Sequence, residues 1–210
     1  MYIVEKKKLV FLLFSILGVL FSGCKNDTDR GREAYQQKDF PKAVGLYAKA
    51  CDVGDAKGCY ELGKMYYKGE GVQQDKSKSI KLYTKSCDNN DMNGCNYLAG
   101  MYANGESVQR NTQKAVVLLT KACDNGNAQA CDNLGIMTDD KSKSFKYFEK
   151  SCNEGFGLGC VDLGLMYQAS YIQGGYQVQQ EDNLSKAFEL YKKACDLHNE
   201  SGCNLYRELN

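Results

Sequence analysis

The sequence predicts an all-α protein, an α/α solenoid or superhelix of two-helix repeats that are each stapled by a disulfide bond. Ten of the 11 cysteines form five pairs with the same eight-residue separation. Apolar residues recur at helical spacing before the first cysteine of each pair. Residues that favour a left-handed backbone follow it. The pairs are Cys51 with Cys59, Cys87 with Cys95, Cys123 with Cys131, Cys152 with Cys160, and Cys195 with Cys203.

The distance between successive pairs indicates an internal repeat. The first cysteines of the pairs are separated by 36, 36, 29 and 43 residues. The period is therefore 36 residues, with seven residues deleted once and inserted once. Seven residues are close to two helical turns, so either change keeps a helix on the same face. The spacing thus favours helices.

The first helix of each repeat, called helix A, ends near the first cysteine. Nine residues before that cysteine every repeat has a lysine, which we expect to be solvated. Apolar residues seven and four positions before the cysteine, with small residues beside them, form one helical stripe. The residues four positions before it are Tyr47, Tyr83, Leu119, Phe148 and Tyr191.

A tight reversal and a second helix, called helix B, follow in each repeat. The reversal is expected three residues after the first cysteine, at Gly54, Asn90, Gly126, Gly155 and His198. Helix B then carries Leu next to Gly or Ala, and we expect it to end at Gly69 and Gly105 where the full pattern is kept. The segment from Asp29 to Lys38 is predicted to be a lone B-type helix that caps the first repeat.

This arrangement brings the two cysteines of a pair close together. One lies in the last turn of helix A and the other in the first turn of helix B, within bridging distance. Each bridge closes a short loop and stabilises the fold by about 2.6 kcal/mol in the chain-entropy model. Zinc binding is the alternative, but zinc sites favour spacings of two to four residues. We therefore predict five disulfides and no metal or other cofactor, and His198 as a turn residue.

The first 23 residues have the pattern of an export signal. Three lysines, Lys6 to Lys8, precede an apolar run from Leu9 to Gly23 that suits a signal-peptide core and is short for a membrane span. The ending Phe21-Ser22-Gly23-Cys24 resembles a bacterial lipobox. We predict a lipoprotein signal peptide in residues 1–23 with lipidation at Cys24, a linker in 24–28 and the repeat domain in 29–210. A plain secretory signal is the alternative.

Charge and cysteine content limit the partners and the compartment. The 27 basic and 26 acidic residues nearly balance, so nothing attracts nucleic acid. Ten paired cysteines require an oxidising compartment. We expect an exported protein, an outer-membrane lipoprotein facing the periplasm or the surface, or a secreted protein, that meets the membrane only through its lipid anchor.

The motif G-C-x-x-L-G-x-M-Y-x-x-G, from Gly58 to Gly69 and again with Ala99 from Gly94 to Gly105, resembles the Sel1-like repeat, a relative of the tetratricopeptide repeat. The cysteine spacing resembles the secreted, cysteine-rich Hcp subgroup of bacteria. This resemblance implies a scaffold that binds proteins or peptides, and we expect helices A to line its concave face. The subgroup also implies an alternative, binding of β-lactams or peptidoglycan fragments with weak β-lactamase activity.

Enzyme motifs do not support that alternative. A serine β-lactamase needs Ser-x-x-Lys together with Ser-Asp-Asn and Lys-Thr-Gly. Ser-x-x-Lys occurs here from Ser22 to Lys25, across the expected cleavage site, and the other two motifs do not occur. A single histidine does not suit a metallo-enzyme. We therefore assign no catalytic residue and favour a binding function.

Tyrosines outside the core register are the candidate contacts with a partner, because aromatic side chains often dominate protein interfaces. They are Tyr60, Tyr67, Tyr97, Tyr171 and Tyr176. The last two lie in the seven-residue insertion from Tyr171 to Gln177. A lengthened helix and turn without a partner is the alternative for that insertion.

Overall fold

The computed structural model describes residues 26–173 and 177–209, and the side chains outside 170–181. This part of the chain contains eleven α-helices and no strand. The all-α prediction is therefore confirmed. The helices are α1 Asp27–Gln36, α2 Phe40–Asp52, α3 Ala56–Lys68, α4 Lys76–Asp88, α5 Met92–Asn104, α6 Thr112–Asp124, α7 Ala128–Met137, α8 Lys141–Asn153, α9 Gly157–Gln173, α10 Gln177–Asp196 and α11 Glu200–Glu208.

Each repeat is an antiparallel helical hairpin, and the hairpins stack in chain order. The even-numbered helices from α2 to α10 are helices A, and the odd-numbered helices from α3 to α11 are helices B. Every helix packs against the next one in the chain. Helix α1 packs on α2 as the expected capping helix. The α/α solenoid is therefore confirmed.

Helix boundaries follow from side-chain caps and left-handed residues. Asp39, Asp75, Asn111 and Asp140 accept a hydrogen bond from the backbone N–H three residues ahead and so begin helices A. The predicted reversals all have positive φ, namely Gly54 91°, Asn90 65°, Gly126 84°, Gly155 87° and His198 61°. Gly69 and Gly105 end α3 and α5 at φ of 78° and 73°. The turn role of His198 is thus confirmed.

The core is built where a helix A ring packs on a helix B glycine of the preceding unit. A Cβ on Gly63 would lie 2.8 Å from the Tyr83 ring, and one on Gly31 would lie 2.7 Å from the Tyr47 ring. Where helix B carries Ala99, the residue of the following helix A is the smaller Leu119, which belongs to the same buried cluster. A large ring on helix A therefore goes with a glycine on helix B, and a smaller side chain goes with an alanine, as close packing requires.

Five disulfides in the described residues join helix A to helix B within each repeat. Their Cα–Cα distances are 4.4–4.7 Å, and they pair the cysteines as the spacing predicts. The bonds join Cys51 to Cys59, Cys87 to Cys95, Cys123 to Cys131, Cys152 to Cys160, and Cys195 to Cys203.

The residue before the second cysteine of each pair is small because it faces the preceding helix. A Cβ on Gly58 would lie 2.6 Å from the Ala50 methyl group, and one on Gly202 would clash with the Ala194 methyl group. The corner of the hairpin therefore excludes larger side chains, and this lets the two helices come close enough for the disulfide.

In the second and third repeats, the lysine nine residues before the first cysteine has a hydrogen-bond partner in the preceding repeat. Lys78 Nζ donates to Tyr66 Oη at 2.7 Å, and Lys114 Nζ donates to Tyr102 Oη at 2.8 Å. These ammonium groups also lie over the tyrosine rings, 4.1 and 4.3 Å from their centroids. The expectation of a purely solvated lysine was therefore incomplete, because the side chain also ties one repeat to the next.

The deletion and the insertion change helix length and leave the stack intact. Helix α7 ends at Met137, and three residues lead from it to α8. Helices α9 and α10 are 17 and 20 residues long, against 13 for α3 to α6. The insertion from Tyr171 to Gln177 is therefore absorbed largely as longer helices. The side chains of this segment lie outside the described ones.

Helices B of neighbouring repeats approach each other more closely than helices A. The helix pairs α1 with α3, α7 with α9, and α9 with α11 have Cα atoms within 8 Å of each other. Among the described residues, no pair of helices A has as many such close approaches. Asn133 Nδ2 donates directly to Asn96 Oδ1 at 2.8 Å between α7 and α5. On the other side the longer Lys121 spans from α6 to Cys87 of α4. Helices B therefore line the inner side, and the expectation that helices A line the concave face was wrong.

Candidate functional site

On the inner side, the helices B of the second, third and fourth repeats are almost free of charge, whereas α3 of the first repeat carries Lys57, Glu61, Lys64 and Lys68. Helices α5, α7 and α9 contain no lysine or arginine, and their acidic residues are Asp132 and Asp162. Helices α4 and α8 on the other side carry four lysines each. We call the solvent-facing surface of α5, α7 and α9, together with Tyr67 at the adjoining end of α3, the B face. Because a quarter of the chain is charged, the composition of the B face is a local property and not an average one.

A groove crosses the B face between α3, α5 and α7. It consists of two adjoining cavities of about 240 and 210 Å³ that share Gly100, Asn104 and Asn133. We call this surface the B groove. Its lining is aromatic and amide-rich at one end and aliphatic at the other. The remaining lining residues used below are Tyr67, Asn96, Tyr97, Ala99, Ala103, Glu106, Leu119, Gln129, Ile136 and Met137.

Carboxamide side chains form the middle of the B groove. The direct bond between Asn96 and Asn133 joins α5 to α7, and Asn96 is 5% exposed. Among the hydrogen bonds of the described residues, the amide nitrogen of Asn96 and the carbonyl oxygen of Asn133 are not used. A second bond, from Asn127 Nδ2 to Asn93 Oδ1 at 3.0 Å, links the same two repeats. The groove therefore has fixed carboxamides with donor and acceptor capacity to spare.

The predicted contact tyrosines are placed in three different ways. Tyr60 and Tyr97 pack edge-to-face at 5.5 Å, and both lie against the buried Tyr83. Burial raises the pKa of Tyr60 and of Tyr83. Tyr97 is 38% exposed at the rim of the groove. Tyr176 and the side chain of Tyr171 lie outside the described residues.

Tyr67 lines the groove but also has a structural contact. Its hydroxyl donates to Glu106 Oε2 at 2.9 Å, and Lys76 Nζ donates to the same oxygen at 2.9 Å. The hydrogen bonds from Lys76 and Tyr67 hold the pKa of Glu106 below its ordinary value. Tyr35 makes the equivalent bond to Glu70 at 2.8 Å. Partner binding by the predicted tyrosines stays a prediction, and Tyr97 is the best exposed of those described.

Exposed aliphatic residues continue the B face beyond the groove. Ile136 on α7 is 63% exposed, and Leu165 at the same repeat position on α9 is 43% exposed. Both lie five residues after the second cysteine, where α3 carries Lys64 and α5 carries Gly100. Aromatic and aliphatic exposure with few charges is typical of the centre of a protein interface. The B face therefore has the composition of a binding surface.

A pair of carboxyl groups lies between the third and fourth repeats beneath this face. Asp132 on α7 is 1% exposed, and its Oδ1 atom has no hydrogen-bond partner. Burial raises the pKa of Asp132 to about 7, and the neighbouring Asp162 on α9 adds to the shift. Burial also raises the pKa of Asp162. These helices are therefore joined more weakly when both carboxyl groups are charged.

A separate cavity, of about 310 Å³, lies on the far part of the chain between α8, α9 and α10. Its lining includes Glu149, Tyr167, Lys186, Glu189 and Lys193. Lys193 Nζ donates to Asn153 Oδ1 at 3.3 Å, which ties α10 to α8. The mixture of both charge signs is unlike the B groove, and these contacts connect neighbouring repeats.

The described residues do not suggest metal chemistry or a membrane span. They contain no cluster of three or more His, Cys, Asp or Glu side chains placed to hold a metal ion. No helix among those described is long and apolar enough to cross a bilayer. Cys24 lies outside the described residues. The ten cysteines that are described all form disulfides, a state typical of an oxidising compartment.

The repeats match a known family over most of the chain. The model of the Sel1 repeat matches residues 29–55, 56–91, 93–127, 128–156 and 158–199. The chain belongs to the Sel1 repeat family. This agrees with the resemblance inferred from the motif, and the five matched segments cover most of the helices described above.

Relatives of this Sel1 repeat protein include HcpC of Helicobacter pylori, whose name contains the word beta-lactamase. The chain is 43% identical to it over 44 residues, which is 21% of this chain and 15% of HcpC. A Sel1 repeat protein from Oxalobacter formigenes has the same fold, with a TM-score of 0.74, 18% identity, and 85% and 73% of the two chains covered. The protective antigen c5321 of uropathogenic Escherichia coli also has this fold, with a TM-score of 0.68 and 23% identity. The match covers 87% of this chain and 40% of c5321. At these identities the structures show the shared fold.

Proposed function

We propose that this protein is an exported scaffold that binds another protein through its B face. The observation that supports the proposal is the absence of basic residues from α5, α7 and α9 while Tyr97, Ile136 and Leu165 are exposed there. A face kept free of charge in a highly charged chain excludes few partners by repulsion and loses little solvation when covered. The five disulfides and the signal-like first 23 residues support export.

Affinity capture with a matched pair of variants tests this function. Immobilised, oxidised protein is exposed to the envelope and secreted fractions of the cells that make it. Ile136→Glu places a charge on the B face at a site that is 63% exposed, and Val117→Glu does the same on helix α6 at 59% exposure. Because both sites are exposed, neither variant should unfold the chain.

We expect the wild type and Val117→Glu to recover the same partner, and Ile136→Glu to lose it. Equal recovery by both variants, or loss with Val117→Glu instead, would contradict binding at the B face. Urea unfolding of each variant serves as the control for folding. Blocking the lipid anchor is a separate test of export, since Cys24→Ala should abolish acylation and change the intact mass of the mature protein.

Activity toward β-lactams is the second candidate, motivated by the name of HcpC. No Ser-x-x-Lys, Ser-Asp-Asn or Lys-Thr-Gly motif lies in the described residues, and serine β-lactamases depend on them. We expect purified protein to hydrolyse a chromogenic cephalosporin no faster than buffer. Turnover that a single point substitution abolishes would establish the enzyme instead.

A further inference from the structure

The size and position of the B groove limit what can occupy it. The two cavities are open along the B face and have volumes of about 240 and 210 Å³. They run from Tyr67 on α3 past α5 to α7, roughly across the helix axes, with Glu106 of the loop after α5 and Leu119 of α6 completing the lining. A narrow trough of this size accepts a few residues of extended chain and is too small for a folded element. The shape therefore favours a strand-like segment.

The middle of the groove matches the chemistry of a peptide main chain. A carboxamide offers an N–H donor and a C=O acceptor, as a peptide group does. Asn96 and Asn133 are held by their mutual bond at 2.8 Å, so little side-chain entropy is lost when they bind. Asn104 and Gln129 stand beside them in the lining. These groups recognise the backbone of a partner and not its charge.

Charge in the groove is already satisfied. Glu106 is the acidic residue of the lining, and its Oε2 atom accepts from both Tyr67 and Lys76. An aspartate, glutamate, lysine or arginine in the occupant would lose water without gaining a counter-ion. The groove therefore discriminates against charged segments.

One end of the groove takes an apolar side chain. Ala99, Ala103, Leu119 and Met137 line the second cavity, and Ile136 stands exposed at its edge. Gly100, at the point shared by both cavities, has no atom within 4 Å of where its Cβ would be. An aliphatic side chain of the occupant can therefore reach Ala103 and Met137, which are partly exposed, while its backbone passes the asparagines.

We propose that the B groove binds an extended, uncharged polypeptide segment, held at its main chain by Asn96 and Asn133 and anchored by one aliphatic side chain beside Ile136. This rests on the proposed scaffold function and adds the class of ligand. The partner then presents a flexible or strand-like stretch rich in aliphatic and small polar residues.

A displayed library of random dodecapeptides, selected on the oxidised protein, tests the proposal. The most enriched peptide is synthesised with blocked ends, and its Kd is measured by fluorescence anisotropy. We expect enriched peptides to share an aliphatic residue and few charges. Replacing that residue by alanine, or N-methylating a neighbouring amide, should raise Kd about tenfold. Affinity should change less than about twofold with added salt, because no ion pair is formed.

Two glycine variants give a matched control. Gly100→Glu fills the groove with a charge, whereas Gly45→Glu adds the same charge on helix α2. Both glycines are exposed and mid-helical, and no atom lies within 4 Å of the point where a Cβ would stand on either. Either change should therefore leave the fold intact. We expect Gly100→Glu to raise the Kd of the peptide about tenfold or more and Gly45→Glu to leave it unchanged.

Asn133→Ala provides a second measurement, and we expect it to raise the Kd of the peptide severalfold. Enrichment of charged peptides with salt-dependent affinity, or an unchanged Kd in Gly100→Glu, would overturn the proposal. Failure to enrich any peptide would also overturn it. In that case capture of a folded partner that is sensitive to Ile136→Glu would still support the scaffold function, so the two failures are distinguishable.

Discussion

The two sides of this solenoid join neighbouring repeats in different ways. On the A side, long lysine side chains span the gap, as Lys121 Nζ does to the Cys87 carbonyl oxygen at 2.8 Å and Lys193 Nζ does to Asn153. On the B side, short groups meet directly, as in the bond between Asn96 and Asn133. The A side is rich in lysine, while α5, α7 and α9 have none. The second, third and fourth repeats thus present a charged outer side and a nearly neutral inner one.

The two sides therefore expose different chemistry to solvent. Lysines are frequent on the outer side, whereas the inner side carries exposed Tyr97, Ile136 and Leu165. Contacts between helices B use shorter side chains, and the inner side also holds the buried Asp132, which is 1% exposed. We therefore expect changes on the inner side to cost more stability than changes on the outer side.

The largest effect should come from cutting the link between the two sides. The double variant Cys87→Ala, Cys95→Ala removes one disulfide, and we expect it to lower the free energy of unfolding by about 2.6 kcal/mol. Urea unfolding under non-reducing conditions measures this change. A midpoint equal to that of the wild type would show that the helices hold the hairpin without the bridge.

The next effect concerns the inner side and depends on pH. The folded pKa of Asp132 is about 7, above its unfolded value of about 4. Stability from the protonated group is therefore complete below about pH 4 and is lost as the pH rises to about 7. We expect a loss of about 2 kcal/mol, half of the full value for a three-unit shift, because Asp162 remains partly solvated.

Asp132→Asn sharpens this prediction. The amide cannot ionise, so the variant should be more stable than the wild type at pH 8 and similar to it at pH 4.5. Urea midpoints at several pH values measure both curves. A variant that keeps the pH dependence of the wild type would assign it to other groups.

The smallest effect is expected on the outer side. Lys121→Met removes the bond to the Cys87 carbonyl oxygen and a favourable charge at the C-terminus of α4. Because the lysine is partly exposed, the loss should be about 0.5 kcal/mol. A loss larger than that caused by charging the carboxyl pair would reverse the proposed difference between the two sides.

Most of the fold could be predicted because the repeat contains the same information several times. The cysteine spacing and the left-handed residues, including Asn90 and His198, located the corner of each hairpin. The sequence could not predict which helices form the inner surface, because the apolar stripe of helix A is buried whichever way the solenoid curves. The contacts between helices B decide it. Contacts such as Lys78 with Tyr66 join different repeats and leave no periodic sign within one helix.

The candidate site was found only in part. Tyr97 could be selected because it lies outside the core register, and it is exposed in the groove. Asn96, Asn133 and Ile136 were missed, since an uncharged polar or aliphatic residue is unremarkable when read singly. The sequence feature that indicates the site is the absence of basic residues from α5, α7 and α9. It becomes evident only once these three helices are known to share one face.

Photo-cross-linking in cells that make the protein tests most directly whether the inner side is the binding surface. Benzoylphenylalanine is introduced at Gln129, in the B groove on α7, and separately at Lys81, exposed on α4. We expect a cross-linked partner at position 129 and none at position 81. A partner that cross-links at position 81 and not at 129 would contradict it.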